Sequence, residues 1–283
     1  MSFRVREGLS FQIKLVELGK LHIHEEIIPE LLNSMVDWIM SSGMLKHPII
    51  ADVDTLVVLD GMHRVAALRK IRCRYIPVCL IDYNSPKVNV GCWYRTVSGK
   101  ASTNVLLDLL QQLKVKLDKA SIAEAKRALE DREAVAAILS KNDCYTISAK
   151  ASGIREAYAL VGRIEKTFAN SGLNASYETE RDAEENVKSG QAIAAIMTPR
   201  ATKSEVLEAA LSKKVFAHKT TRHIVLTRPM CVDAPLEWLK GNRPLKECNR
   251  MLVEQLKRRE LKRLPPGSTF ERRRYDEELL VFK

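Results

Sequence analysis

The sequence lacks the cysteine spacing of a metal ribbon or a dithiol enzyme. Its six cysteines, Cys73, Cys79, Cys92, Cys144, Cys231 and Cys248, include no C-x-x-C pair, which argues against a zinc ribbon and a thioredoxin-like couple. Most are expected to be small buried hydrophobes. It also lacks any run near the roughly 18 uncharged apolar residues that a membrane span needs, so no membrane association is expected. The N-terminal Met1-Ser2-Phe3-Arg4-Val5-Arg6-Glu7 is followed by no apolar run or small-residue cleavage site, and a cytoplasmic protein is expected. Internal repeats and low-complexity tracts are absent as well.

What is present is a globular balance, 46% hydrophobic and 29% charged over 283 residues, enough for two domains or one large one with a core that needs no disulfides. The net charge of +11 invites a nucleic-acid reading, so its location matters. Residues 240–283 hold 13 Lys and Arg against 7 Asp and Glu, so six of the eleven charges sit there, concentrated in Lys257-Arg258-Arg259 and Arg272-Arg273-Arg274. Such runs are usually solvated faces, and recognition of a specific nucleic acid is not expected.

The first hundred residues change element every 8 to 15 positions, the habit of a compact α/β unit. The pattern predicts strands at residues 11–18 and 21–23, and a helix opened by Pro29 and stopped by Gly43. That helix carries Leu31, Leu32, Met35, Val36, Ile39 and Met40 at helical spacing. Further strands are predicted at 48–50, 55–59 and 76–81. Beyond Ser98-Gly99 the composition shifts to Ala, Leu, Lys and Glu, which places a boundary there. Helices are predicted over 105–117, 121–140, 154–167 and, as a basic helix, 250–264; a helix also opens at Thr202-Lys203-Ser204-Glu205, and strands are predicted at 191–197 and 220–227.

The most informative segment is a strand running into Asp60-Gly61-Met62-His63-Arg64 and then a helix. Glycine allows close backbone approach, the helix N-terminus offers unpaired N–H groups and partial positive charge, and His63 and Arg64 add donors. Together they could cradle phosphate; equally, Asp60 could cap the helix, Gly61 make the turn and Arg64 pair at the surface. A second cluster is His22-Ile23-His24-Glu25-Glu26, where strand alternation would put both histidines on one face and Glu25 on the other. Two histidines without a third ligand in register are weak grounds for a metal. The segments Gly91-Cys92-Trp93-Tyr94-Arg95-Thr96 and Thr221-Arg222-His223 are each equally compatible with plain packing.

As an ordered set, these residues resemble the ParB/sulfiredoxin superfamily and, within it, the free L-serine kinases of archaea and their bacterial relative in siderophore synthesis. The matches are Leu15 to Leu18, His24-Glu25, Lys46-His47-Pro48-Ile49-Ile50, Asp60-Gly61-Met62-His63-Arg64, Ala67-Leu68, Pro77-Val78 and Trp93. A downstream block follows at Thr221-Arg222-His223, Arg228-Pro229 and Pro235-Leu236. Met62 and Tyr94 depart from the family pattern, where histidine and threonine are usual.

The resemblance implies an α/β (α+β) chain with a ParB/sulfiredoxin-like nucleotide-binding domain over residues 1–97. A larger mixed α/β domain over 98–283 would contribute the amino-acid pocket, with a cleft between the two. It implies phosphoryl transfer from ATP or ADP, with Mg²⁺, to the hydroxyl of free L-serine, giving O-phospho-L-serine for cysteine synthesis. Glu25 would be the base, and Asp60, Gly61, Met62, His63, Arg64 and Lys46 would hold the nucleotide. His63 would stabilise transferred charge and Asp60 would orient the metal through water. Ile23, Trp93, Thr221 and His223 would line the serine site, with Arg222 below them in rank because it points the other way on its strand. The rival reading is a ParB-like nucleotide-gated DNA-binding regulator, supported by the basic C-terminus but lacking a clear helix-turn-helix. A sulfiredoxin-like reductase ranks last, since no cysteine lies in residues 60–64.

Overall fold

The computed structural model describes residues 1–4, 10–271 and 273–283; Val5, Arg6 and Glu7 of the N-terminal segment and Arg272 of the basic run lie outside the described residues. Two compact units emerge. The first joins Met1–Asn89, Lys203–Val215 and His223–Lys283, and the second joins Val90–Thr202 with Phe216–Arg222. A single boundary near residue 97 therefore does not coincide with the units, because the chain passes back and forth between them over residues 203–223.

In the first unit a five-stranded sheet runs in the order Ser2–Arg4, Ser10–Glu17, Tyr75–Ile81, Ile49–Asp52, Val58–Asp60. Tyr75–Ile81 is buried at every position and lies parallel to Ile49–Asp52 and antiparallel to Ser10–Glu17. This explains why it reads as a continuous apolar run rather than an alternating one. The segment 21–23 is not a strand; only His22 makes an isolated bridge, to Val57. Strand alternation accordingly fails there, and His24 and Glu25 are both buried.

The helix Pro29–Ser42 begins on proline and ends on Gly43 in the left-handed region, as its punctuation implies. Its apolar stripe is another matter: only Ile39 is fully buried, while Leu31, Trp38 and Met40 are exposed. A C-terminal sheet of Thr227–Met230, Glu278–Phe282 and Leu261–Leu264 completes this unit together with the helix Leu245–Lys257. Asn249 ties that helix to the first sheet, accepting from the Leu15 amide at 2.8 Å and donating to its carbonyl at 3.1 Å.

The basic helix expected over 250–264 thus starts earlier and stops at Lys257, and 261–264 is a strand paired to Glu278–Phe282. Several of its cations serve the fold. Arg259 donates to the Cys231 carbonyl and to Asp233 at 2.7 Å each, and Arg263 pairs with Glu278.

The second unit is a six-stranded antiparallel sheet in the order Asn174–Glu178, Tyr94–Ser98, Ala194–Met197, Ala136–Ser140, Cys144–Ser148, Lys116–Ala120. Alternation along the central strands sorts side chains to two faces. Ile138, Ala194 and Ile196 meet helices Thr103–Gln111 and Ile154–Asn170, while Ala137, Leu139, Ala195 and Met197 meet Ile122–Glu130 and Glu180–Ser189.

The two long helices expected over 105–117 and 121–140 are each a helix followed by a strand. Lys114 and Arg132 take positive φ at the breaks, and Ala136–Ser140 is a fully buried strand whose alanines mimic helix composition. Tyr94 also finds its place here. It is a core residue of the second face, so the departure from the family pattern is filled by packing. Five of the six cysteines are buried and all are free, in keeping with their reading as small hydrophobes.

Candidate active site

Strand Val58–Asp60 delivers the Asp60–Arg64 loop, and helix Met62–Lys70 departs from it. Gly61 sits at φ +95°, and a Cβ there would come within 2.6 Å of the Ile49 side chain and 2.7 Å of Arg64 Nε. Only glycine lets the loop lie this close. The first amides of an α-helix make no hydrogen bond within it and can donate to an anion.

Arg64 turns inward: it donates to the Asp60 carboxylate, to the Pro48 carbonyl and, at 3.2 Å, to the His47 carbonyl. It braces the loop against the Ile49–Asp52 strand.

Asp60 Oδ2 accepts from a second guanidinium, Arg228, at 2.7 Å, and Arg228 Nε in turn donates to Glu277 at 2.6 Å. Burial would raise the Asp60 carboxyl, but the charges of Arg228, Arg64 and Arg273 outweigh it and hold the group well below the usual carboxylate range. The result is an ionic chain, Glu277–Arg228–Asp60–Arg64, buried at its Glu277–Arg228 end and partly exposed at Asp60 and Arg64, that fixes the loop from behind. Sequence reading places Arg228 only in a downstream motif and misses Glu277; no local signal links residues so far apart.

His63 Nε2 accepts the Ile28 amide at 3.1 Å, so in the neutral ring Nδ1 carries the proton. This bond ties the loop to the segment that follows Glu25. Glu25 is itself buried, at 4% exposure.

Its neighbour His24 is fully buried, hydrogen-bonds to the Val58 backbone, and has its pKa lowered to about 4, chiefly by burial. The His24 ring meets His223 edge-on at 5.3 Å between centroids. A residue adjoining Glu25 and a residue of the 221–223 segment are thereby brought into contact within one unit. Tyr83 closes the cluster, its hydroxyl 2.9 Å from His223 Nε2. No motif marks Tyr83 in the sequence.

Ile23 is half-buried. Lys46 is engaged at the surface in an ion pair with Glu271, which also meets His47 at 3.1 Å. Met62 is the first residue of the loop's helix.

Trp93, Thr221 and Arg222 belong to the second unit. There the Trp93 indole donates to the Thr221 carbonyl at 3.0 Å, and the Trp93 carbonyl accepts from Thr198 Oγ1 at 3.0 Å and from the buried Arg95. Lys219 and Arg222 lie over the Trp93 ring, 4.4 and 6.0 Å from its centroid. Thr221 and His223 are buried while Arg222 is half-buried, the alternation expected of a strand.

Among the described residues no group of three His, Cys, Asp or Glu is arranged to hold a metal ion. No helix among them is long and apolar enough to cross a membrane.

A mixed α/β protein with a strand–glycine–helix loop backed by buried histidines is the class these features define. No family model matches the sequence. It is 30% identical over 235 residues to an ATP-dependent L-serine kinase of Staphylothermus marinus, covering 80% of this chain and 90% of that one. It is 27% identical, again over 235 residues, to an ADP-dependent L-serine kinase of Thermococcus kodakarensis, covering 79% and 91%. Among solved structures, a free serine kinase variant in complex with ADP superposes with a TM-score of 0.67 at 24% identity, covering 84% of this chain and 95% of that one, a likeness of fold. The chain belongs to the L-serine kinase family.

Proposed function

We propose that the protein transfers a phosphoryl group from ATP or ADP to the hydroxyl of free L-serine, giving O-phospho-L-serine. The observation that carries this reading is the buried Glu25 beside the His24–His223 contact, tied through Ile28 to the loop of Asp60–Arg64. In the reaction the serine Oγ–P bond forms as the bond from that phosphorus to the leaving nucleotide oxygen breaks, and the hydroxyl proton passes to Glu25.

The protein's contribution is positioning and charge. The amides at the start of helix Met62–Lys70 and the His63 ring meet the phosphates. Arg64 and Arg228 act from behind, holding Asp60 and the loop in place. His223 and Ile23 bind the amino acid, and Lys46 contributes to holding the nucleotide.

Mg²⁺ would come with the nucleotide as the counter-ion of its phosphates, where it would neutralise charge. Asp60 does not fit a metal ligand well, because its Oδ2 already accepts from two guanidinium groups. The remaining element of this reading is a cytoplasmic enzyme whose product serves cysteine synthesis.

Titration calorimetry with ADP and Mg²⁺, run beside duplex DNA at rising salt, separates this reading from a DNA-binding regulator. Saturable nucleotide binding is expected, with DNA affinity weak and lost steeply as salt rises. Sequence-selective DNA binding that survives physiological salt would support the regulator instead.

A further inference from the structure

We propose that Tyr83 is a positioning residue of the amino-acid site, fixing His223 as the neutral tautomer with its proton on Nδ1. The inference rests on His223 lining the serine site. Both side chains are buried, at 1% and 7% exposure, and the Tyr83 hydroxyl lies 2.9 Å from His223 Nε2.

Two features choose the direction of that bond. A buried phenol donates readily, and an imine nitrogen is the strong acceptor of a neutral imidazole. The Leu59 backbone favours a protonated ring nitrogen, and Nδ1 makes no hydrogen bond of good geometry among the described residues. With Nε2 accepting from Tyr83, Nδ1–H is the donor left for a carboxylate or hydroxyl oxygen of the amino acid. A buried donor lacking its partner is costly, which gives the ligand a reason to bind there.

Tyr83 is itself anchored. Its backbone N–H donates to Asp52 Oδ1 at 3.1 Å, and Asp52 Oδ2 accepts from the Thr55 amide and hydroxyl at 2.9 and 2.6 Å. Lys203 lies 5.4 Å from the centre of the Tyr83 ring and donates to the Ser85 carbonyl, closing the other side. The groups bearing on His223 are therefore Tyr83, His24, the Leu59 backbone, and the more distant charges of Asp60 and Arg228.

Nitrogen NMR of the ¹⁵N-labelled wild-type protein reads the tautomer without any substitution. Its His223 signal, assigned by loss in His223→Ala, is expected to show protonated Nδ1 and bare Nε2. In Tyr83→Phe that bias should weaken, and the Michaelis constant for serine should rise about tenfold while that for nucleotide changes less than about twofold. A wild-type ring protonated at Nε2 would overturn the proposal. So would an unchanged serine constant in Tyr83→Phe when His223→Ala raises it. If His223→Ala leaves the serine constant unchanged while the tautomer is as expected, the serine-site reading itself fails, and the role of Tyr83 falls with it.

Discussion

Replacing Glu25 by glutamine is expected to leave nucleotide affinity intact and to lower turnover by about 10²-fold or more, the loss of a general base. The amide keeps the size and the buried position of the carboxylate, which is 4% exposed, but it cannot take the proton from an attacking hydroxyl. Its setting argues for the role. Glu25 follows His24, whose ring is locked to the Val58 backbone and to His223, and it precedes Ile28, whose amide is held by His63. Glu25 therefore lies on a short segment held at one end by the Val58 backbone and His223 and at the other by His63 of the phosphate loop. Steady-state turnover with calorimetric nucleotide binding checks the expectation. Turnover near that of the wild type would remove Glu25 from the chemistry and make Glu26 the next candidate.

Acid should weaken the fold through the same segment. His24 is neutral in the folded state, with its pKa lowered to about 4 by burial, whereas an unfolded histidine takes up a proton near 6.5. A depressed histidine costs nothing above the unfolded value. Below it the unfolded chain binds a proton that the folded one refuses, so stability falls as pH drops from about 6.5 towards 4. From pH 7 to pH 5 the expected loss from His24 is about 2 kcal/mol. His223, lowered in the same direction first by burial and then by His24, adds to the trend. Urea unfolding at the two pH values, compared with His24→Asn, isolates the effect, because asparagine can still donate to Val58 but does not titrate. The variant should lose about that much of the pH dependence; equal slopes would show that His24 is not held neutral by the fold.

The fold was legible where a local signal exists. Pro29 and Gly43 mark their helix, and the strand–glycine–helix junction at Gly61 is visible because its φ and the crowding by Ile49 require glycine. Where two structures share one composition, the pattern misleads. The run Ala136–Ser140 reads as the end of a helix, yet it is a central strand buried on both faces, and burial removes the alternation that would reveal it.

The candidate site divides in the same way. Glu25 and the Asp60–Arg64 loop stand out by residue type and order. Tyr83, Arg228 and Glu277 do not, because their importance comes from partners brought together over 140, 168 and 49 positions of chain. The basic C-terminal run also changed meaning once its partners were in view. Arg259 and Arg263 neutralise carboxylates of their own unit, and Arg273 lies over the Tyr275 ring. A charge run in a sequence carries no record of the groups it will face.

The most direct test is a search for O-phosphoserine after mixing the wild-type protein with free L-serine, Mg²⁺ and nucleotide labelled at its terminal phosphate, ATP in one arm and ADP in the other. Label should move to serine in at least one arm, in proportion to enzyme, and the Glu25→Gln protein should transfer about a hundredfold less. Nucleotide that binds tightly yet never yields labelled serine in either arm would contradict the account.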